Sequence, residues 1–471
     1  MCSDVELFSQ RTRFKHEPLV EDRSLYEYTS HEHESRSLCP EHRKQRKTMK
    51  KMHLIYPSWP KLLRQQEFHL PPHGPVVFAA EVPDDVDIVF TDENLEEMAF
   101  DPSYDLAAFS VMLTSQLPRA FELADTYRSM GVPVIFGGIA SMLHAEEVVL
   151  HADSVFLGEV EGRFHVVLGD LEAGRLKPVY DFLEDKPEIR TVGTARRGIL
   201  DRDLYNYRGV QMLDLVHASR GCRFNCDPCC VAYLGGRKFR PRPIDKVIEE
   251  MESIPNNRLF IVDNSLANDK RWLEELLTAM IPLKKKWVSH PLLSSDKILK
   301  LAADAGCWYV YQAIFEMTDA MRRRVQRLKD HGISVEGSIL MGLDYHDEDY
   351  LKRLIDFLLE IDLDIAEFTV LTPFPHSPIR EQLLKEGRIF SNNWVDYTAD
   401  KVVYQPKHMS PQKLEEIFHY AWDTFYAEKP FEVRMGNLFM KVIEKEMEDG
   451  TYRRHDPRAR RAFRKKKASG A

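Results

Sequence analysis

The chain has 471 residues, of which 44% are hydrophobic and 10% aromatic, and its formal net charge is −9. This composition supplies enough apolar surface for two or three domains with buried cores, and it excludes a wholly disordered or fibrous chain. No run of about 18 uncharged apolar residues occurs and residues 1–48 lack an apolar signal region, so we expect a cytoplasmic protein without membrane spans.

The charge is unevenly distributed along the chain. Residues 453–467 hold nine Lys or Arg and one Asp, a net charge of +8, which leaves −17 for the remainder. An acidic body argues against nucleic-acid binding as the main activity. We predict a disordered basic tail over 451–471, for which contact with an anionic membrane surface stays open. Residues 1–48 are polar and aperiodic, and we predict a disordered extension there.

The segment from 49 to 190 alternates short apolar runs with amphipathic patterns. Continuous apolar runs joined by helices are typical of a parallel sheet covered on both faces. We therefore predict an α/β domain of the flavodoxin-like or Rossmann-like kind. Its predicted strands are 52–56, 86–90, 106–112, 132–136 and 154–157.

The carboxyl ends of these predicted strands carry candidate ligand contacts. Ligands of open parallel sheets bind outside the carboxyl ends of the strands. Glycine at such a position lets the backbone approach a bulky flat ligand, although ordinary loop geometry explains each glycine equally well. The candidates are Ser110, Thr114, Ser115, Gln116, Gly137, Gly138, Gly158, Glu159 and Gly162.

A second series of strands and helices follows from 205 to 374. Six repeats in one direction predict an open (β/α)6 partial barrel, with its chemistry at the carboxyl ends of the strands. We predict a mainly helical region over 375–450 that packs at the mouth or the side of this barrel. The predicted strands are 212–218, 259–263, 287–293, 307–315, 334–343 and 366–371.

Four of the seven cysteines fall within nine residues, in Ser219-Arg-Gly-Cys-Arg-Phe-Asn-Cys-Asp-Pro-Cys-Cys230. The C-x3-C-x2-C spacing places the thiolates of Cys222, Cys226 and Cys229 on one short loop after a strand. Three thiolates leave one iron of a [4Fe-4S] cluster without a protein ligand, so a substrate or cofactor can bind there. We favour such a cluster, and a zinc site that also uses Cys230 is the alternative.

This motif resembles that of the radical S-adenosylmethionine (radical SAM) superfamily. Together with the strand and helix repeats and the preceding flavodoxin-like domain, it resembles the cobalamin-binding subgroup, over roughly residues 50–425. Further echoes are Gly158-Glu-Val-Glu-Gly162 and Leu371-Thr-Pro-Phe-Pro-His-Ser-Pro378. The resemblance implies a [4Fe-4S] cluster, S-adenosylmethionine and cobalamin as cofactors, and an external electron donor such as flavodoxin or ferredoxin. In that family the reduced cluster cleaves S-adenosylmethionine to a 5′-deoxyadenosyl radical.

The resemblance also implies roles for residues at the strand ends. The second strand's end would contact the methionine amino group, the fourth the ribose or carboxylate, and the fifth the adenosine. The loops after the strands of the first domain would hold cobalamin. In the second domain the corresponding residues are Asp263 and Asn264, then Gln312 and Glu316, then Gly337 and Ser338.

The implied reaction is methylation of an unactivated carbon or phosphorus centre in a small-molecule or lipid substrate. Two other interpretations stay open. One is a radical SAM cyclase, rearrangement or oxidation enzyme without methyl transfer. The other is a degenerate cluster-containing binding or regulatory protein. The second is suggested by Pro228, where the family usually has an aromatic residue, and by the short segment after Glu316.

Overall fold

The structure is a computed structural model that describes residues 48–62, 69–207, 210–211, 213–224, 226 and 229–452. Almost all of the predicted N-terminal extension and basic tail, and also Pro228, lie outside these residues. Within them, no helix combines the length and the apolar character that crossing a bilayer requires.

A six-stranded, fully parallel sheet forms first, with the strand order β2-β1-β3-β4-β5-β6. All five predicted strands are present. The sixth, β6, was not predicted because its side chains alternate between exposed and buried, as on an edge strand, and do not form an apolar run. The strands are β1 (Lys51–Tyr56), β2 (Asp87–Asp92), β3 (Leu106–Ser110), β4 (Val134–Gly137), β5 (Ser154–Gly158) and β6 (Val179–Phe182).

Helices cover both faces of this first sheet, as the apolar strands require. On one face Phe109 and Phe136 pack against Leu117 and Phe121, and on the other Leu54 packs with Phe164. Burial of each such side chain contributes about 1.5–3 kcal/mol. The helices are α1 (His73–Ala79), α2 (Leu117–Ser129), α3 (Ile139–Leu143), α4 (Ala145–His151) and α5 (Phe164–Glu172).

Two short antiparallel pairs flank the start of the second sheet. The first pair is β7 (Asn206–Tyr207) with β8 (Val210–Gln211). After β9 (Asp214–Val216) comes β10 (Ser219–Arg220), which pairs with β11 (Arg240–Pro241) around α6 (Val231–Leu234). The cysteine motif therefore lies between β10 and α6.

The second sheet is also six-stranded and fully parallel, and its strands follow chain order from β9 to β16. The six strand and helix repeats predicted from the sequence are present. The strands after β9 are β12 (Arg258–Ile261), β13 (Lys286–Ser289), β14 (Cys307–Ala313), β15 (Ser334–Met341) and β16 (Ile365–Val370). The intervening helices are α7 (Ile244–Ser253), α8 (Lys270–Met280), α9 (Asp296–Asp304), α10 (Asp319–Asp330) and α11 (Glu348–Glu360).

The two faces of the second sheet are covered differently. Helices α7–α11 bury one face in a large apolar core that includes Trp287 and Cys307. The opposite face packs at one end against Leu438 and Val442 of the last helix, α14 (Phe431–Glu448), and we call it the α14 face. The C-terminal helices are α12 (Pro378–Lys385), α13 (Pro411–Phe425) and α14 (Phe431–Glu448).

Candidate functional site

The cysteine loop, residues 221–230, begins with a turn that only glycine fits. Gly221 has φ +73°, and a Cβ there would lie 2.2 Å from the carbonyl oxygen of Lys238. The Cys222 N–H donates to the Gly236 carbonyl at 3.2 Å, and the Arg223 N–H donates to Oδ1 of Asn268 at 3.1 Å. The loop is therefore held between the β10–β11 pair and the segment that follows β12.

The thiols of the motif lie near one another on this loop. Cys226 and Cys229 are exposed, Cys222 is half-buried, and the Cys229 N–H donates to the Cys226 carbonyl at 2.9 Å. Although Cys226 is exposed as a residue, the surrounding protein partly desolvates its sulfur and raises its pKa, and the nearby thiols of Cys229 and Cys222 raise it further. Burial likewise raises the pKa of Cys229, with Cys222 adding to it.

This set of donors is suited to an iron-sulfur cluster, since thiolates are the usual ligands of [4Fe-4S] clusters. Across the described part of the chain, no three or more His, Cys, Asp or Glu side chains form a group that could hold a metal ion. In a four-iron cluster each thiolate binds a different iron, so the ligands do not converge on one point. Cys307 lies apart from this loop, fully buried in the core of the second sheet.

The predicted S-adenosylmethionine contacts after β12 differ in their surroundings. Burial raises the pKa of Asp263 to about 6, while hydrogen bonds to its carboxylate oppose that shift. The carboxylate accepts from the Ala218 N–H at 2.7 Å and from the Ser219 hydroxyl. Asn264 is exposed and its amide lies beside Gly235, next to the cysteine loop. Ligand binding by both residues stays a prediction.

The predicted contacts on β14 and β15 fall on opposite faces. The Gln312 side chain is buried and accepts from Nε of Arg324 on α10 at 2.5 Å. A Cβ on Gly337 would meet Leu363 and Ile314, which belong to the core on the helix side. Alternation along the strand directs Ser338 to the α14 face. Glu316 is exposed beyond β14. The cofactor roles of these four residues stay predictions.

The α14 face carries polar and aromatic residues that were not predicted from the sequence. The Tyr311 ring lies 5.5 Å from Phe260 and 5.7 Å from His290, measured between ring centroids. Glu336 and Glu367 lie on the two strands beyond β14. Glu336 lies on the α14 face together with Ser338, because side chains two residues apart on a strand point to the same face.

The two glutamates interact, and both have raised pKa values. Burial raises the pKa of Glu336 well above 4.5, and the neighbouring carboxyl of Glu367 raises it further. The pKa of Glu367 is raised as well, because the surrounding protein partly desolvates its carboxyl although the residue as a whole is exposed. At least one of the two groups is therefore favoured in its protonated form.

Glu336→Gln should reduce the loss of stability that the protein undergoes as pH rises. A carboxyl whose pKa is raised on folding stabilises the fold fully below its unfolded pKa, about 4.3, and that stabilisation is lost as pH increases through the folded value. We expect the variant to lose less unfolding free energy than the wild type between about pH 5 and pH 8. Urea unfolding at a series of pH values measures this, and parallel pH profiles for the two proteins would contradict it.

The predicted contacts after β3 are bonded mostly within the protein. The Gln116 side chain accepts from the Met112 and Leu113 N–H groups and donates to the Pro57 carbonyl at 2.6 Å. The Thr114 hydroxyl lies 3.0 Å from Nε2 of His144. Ser115 is buried and Ser110 half-buried. These side chains stabilise the edge loops, and their contact with cobalamin stays a prediction.

The four glycines predicted as cobalamin contacts in the first domain differ in their surroundings. Gly138 and Gly158 have positive φ, and a Cβ would lie 2.5 Å from the Val111 carbonyl oxygen and 2.6 Å from that of Phe182, respectively. Close approach of neighbouring backbone therefore explains these two glycines. At Gly137 and Gly162 no atom lies within 4 Å of a Cβ position, so the backbone there is open to a ligand.

Exposed apolar side chains surround the open glycine at the end of β4. Met112 is 53% exposed, Ile139 40% and Leu113 38%. Their loops touch, because the Val111 N–H donates to Gly137 and the Ala140 N–H donates to Val111. Large apolar groups gathered at a sheet edge are typical of a binding surface. They were not predicted, because burial decides which apolar residues remain exposed.

The carboxyl edge of the first sheet meets the base of the cysteine loop. Glu159 and Glu161, which follow β5, form ion pairs with Arg220 of β10, and Glu159 also pairs with Arg240 of β11. Glu159, a predicted cobalamin contact, is thus bonded to two arginines. The strands on both sides of the cysteine loop, β10 and β11, are therefore bonded to residues that follow β5 of the first sheet.

Comparison with known proteins finds no matching family profile, but it finds relatives. The chain is 25% identical over 357 residues to bacteriochlorophyllide d C-12(1)-methyltransferase from Chlorobaculum tepidum, covering 70% of this chain and 77% of that protein. It is 24% identical over 279 residues to an anaerobic magnesium-protoporphyrin IX monomethyl ester cyclase from Cereibacter sphaeroides. That match spans 50% of this chain and 45% of the cyclase.

Two solved structures share the fold. One is the radical S-adenosylmethionine methyltransferase TsrM from Kitasatospora setae with cobalamin and a [4Fe-4S] cluster bound: TM-score 0.57, 16% identity, covering 79% of this chain and 85% of TsrM. The other is the cobalamin-dependent S-adenosylmethionine radical enzyme OxsB, with aqua-cobalamin and S-adenosylmethionine bound: TM-score 0.59, 12% identity, covering 84% and 72%. The predicted resemblance to cobalamin-binding radical SAM proteins is confirmed.

Proposed function

We propose that this chain is a cobalamin-dependent radical SAM enzyme that transfers a methyl group to an unactivated carbon or phosphorus centre. The observation that carries the proposal is the position of the C-x3-C-x2-C loop. The loop lies beyond β9, the first strand of the second sheet, and ion pairs at its base join it to the carboxyl edge of the first sheet. The named activities of the relatives support the same conclusion.

Within this proposal Cys222, Cys226 and Cys229 hold the [4Fe-4S] cluster. The cluster and S-adenosylmethionine together supply one-electron cleavage that yields a carbon radical, with the electron provided by a flavodoxin or ferredoxin. The protein orients the groups and excludes water. Asn264, Glu316 and Ser338 are proposed contacts of S-adenosylmethionine on the side of the sheet that faces the α14 helix.

The proposed domain organisation follows from these sites. Residues 49–190 form the cobalamin-binding domain, 205–374 the (β/α)6 partial barrel and 375–450 the helical C-terminal region. The substrate is a small molecule or a lipid. We place it between the carboxyl edges of the two sheets, because the cofactors are proposed to bind on either side of that space.

Cobalamin binding is assigned to the edge formed by Met112, Leu113, Gly137 and Ile139. A corrin is broad and flat, and it would cover the exposed apolar side chains while the open glycine lets the backbone approach it. We predict that Ile139→Asp weakens corrinoid binding by about tenfold or more, because a carboxylate buried beneath the ring loses its hydration.

Titration of anaerobic protein with hydroxocobalamin, followed by its absorption spectrum, measures this effect. Leu150→Asp is the matched control, because Leu150 is 69% exposed and lies on α4, away from this edge. Equal corrinoid affinity for the wild type and Ile139→Asp would contradict the assignment.

Product analysis tests the proposed reaction. Reconstituted protein is incubated with S-adenosylmethionine, a strong reductant and candidate substrates without oxygen. Methyl transfer predicts one S-adenosylhomocysteine for each 5′-deoxyadenosine. Formation of 5′-deoxyadenosine alone would favour a cyclase or oxidation reaction, for which the cyclase relative is the supporting observation. Cluster-loaded protein that forms neither product would favour a degenerate binding or regulatory protein.

A further inference from the structure

A partly buried network of four charges connects the cysteine loop to the first sheet. Arg220 donates from Nη1 to Glu159 at 2.8 Å and to Glu161 at 3.0 Å, and from Nη2 to Glu161. Arg240 donates from Nη1 to Glu159 at 3.0 Å and from Nη2 to the same carboxylate. Glu161 is 3% exposed. We call these four residues the clamp.

The clamp holds both ends of the segment that contains the cysteines. Arg220 precedes Cys222 by two residues on β10, and Arg240 lies opposite it on β11. One further contact reinforces the same junction. Lys186, after β6, donates to the Leu234 carbonyl at the end of α6 at 2.7 Å.

The geometry and burial of the clamp make it rigid. Two-pronged bonds between guanidinium and carboxylate fix orientation as well as distance. Two arginines and two glutamates balance in charge, so removal of one group leaves an uncompensated charge in a desolvated place. A merely stabilising ion pair can form anywhere in the fold. This one joins the two elements whose separation matters to the proposed reaction.

We infer that Arg220, Arg240, Glu159 and Glu161 are positioning residues that fix the cysteine loop against the carboxyl edge of the first sheet. The inference rests on the proposed function, because the positioned group is the proposed cluster. The clamp sets the distance between the cluster and the group bound at the first sheet's edge. It also gives the two glutamates of Gly158-Glu-Val-Glu-Gly162 a role other than contact with cobalamin.

Glu161→Gln and the double variant Glu159→Gln/Glu161→Gln test the inference, because both keep side-chain shape and remove charge. Glu446→Gln is the matched control. This substitution breaks the ion pair between Glu446 of α14 and Arg258 at the amino end of β12. That pair is also two-pronged and similarly buried, but it lies away from the cysteine loop. Glu161→Asp tests rescue, because it restores the charge with a shorter reach.

Two measurements compare these variants with the wild type. Hydrogen exchange of cluster-free protein reports the order of residues 219–240, and the electron paramagnetic resonance spectrum of the reduced protein reports the cluster. Charge-removing clamp variants should exchange faster in this segment and show an altered spectrum, with partial recovery in Glu161→Asp. Glu446→Gln should leave both measurements unchanged, even where it lowers the melting temperature equally.

The inference is overturned if residues 219–240 exchange at the wild-type rate in the clamp variants, or if their spectra match that of the wild type. Wild-type protein that binds no iron would overturn the proposed function. The exchange comparison would still decide whether the clamp orders the loop, because it uses the cluster-free chain.

Discussion

Cys226→Ala should reduce the iron content of anaerobically reconstituted protein from about four per chain to nearly none, and should abolish cleavage of S-adenosylmethionine. The same result is expected for Cys222→Ala and Cys229→Ala. In the proposed cluster each thiolate is the protein ligand of one iron, so its removal detaches that iron from the chain. Iron and sulfide analysis, together with the absorption of the cluster, measures the loss.

Cys230→Ala is the control for these three variants. Cys230 lies on the same loop and burial raises the pKa of its thiol, but the proposed cluster does not use it. We expect this variant to keep its iron and its activity. A requirement for all four cysteines, with one zinc bound per chain, would instead support the alternative of a zinc site.

Gly221→Ala should disrupt the cysteine loop although it changes no ligand. The left-handed backbone at this position costs a non-glycine residue about 1–2 kcal/mol. The added methyl group also overlaps the Lys238 carbonyl, which is backbone and cannot rotate away. We expect a lower unfolding free energy and a loss of most of the bound iron, measured by urea unfolding and iron analysis.

Gly236→Ala distinguishes the cost of the left-handed backbone from the cost of the steric overlap. Gly236 has a similar φ of +75°, but the nearest atom to its Cβ position is Cε of Lys186 at 3.9 Å. It should therefore lose only the backbone term, about 1–2 kcal/mol, and retain its cluster. Equal iron content in the two variants would show that the close contact at Gly221 does not position the loop.

Most of the fold could be predicted from the sequence, because a strand covered on both faces must be apolar throughout. That rule identifies β1, β3 and β14. It does not identify β6, where Val179 and Asp181 are exposed at the sheet edge. The mainly helical region predicted over 375–450 contains α14, whose start at Phe431 has little apolar signal because its first turns are only partly buried.

The site could be predicted only where its residues are close in sequence. The C-x3-C-x2-C motif occupies eight consecutive residues, so its spacing alone indicates a cluster. Arg220 and Glu161 are 59 residues apart, and their pairing depends on how the two sheets meet. Glu336 and Glu367 are diagonal neighbours, because the register of β15 and β16 pairs Glu336 with Ile365 and Ser338 with Glu367. Gln312 was assigned from the family resemblance, as a residue at the end of the fourth strand, and its bond with Arg324 of α10 could not be foreseen from the sequence.

The electron paramagnetic resonance spectrum of reduced, oxygen-free protein, recorded before and after addition of S-adenosylmethionine, tests whether the three cysteines hold a cluster with an open iron. A cluster held by three cysteines has one iron free to bind the amino and carboxylate groups of that molecule. We expect a [4Fe-4S] signal that changes when S-adenosylmethionine is added. Iron-free protein, or a cluster signal that S-adenosylmethionine leaves unchanged, would contradict it.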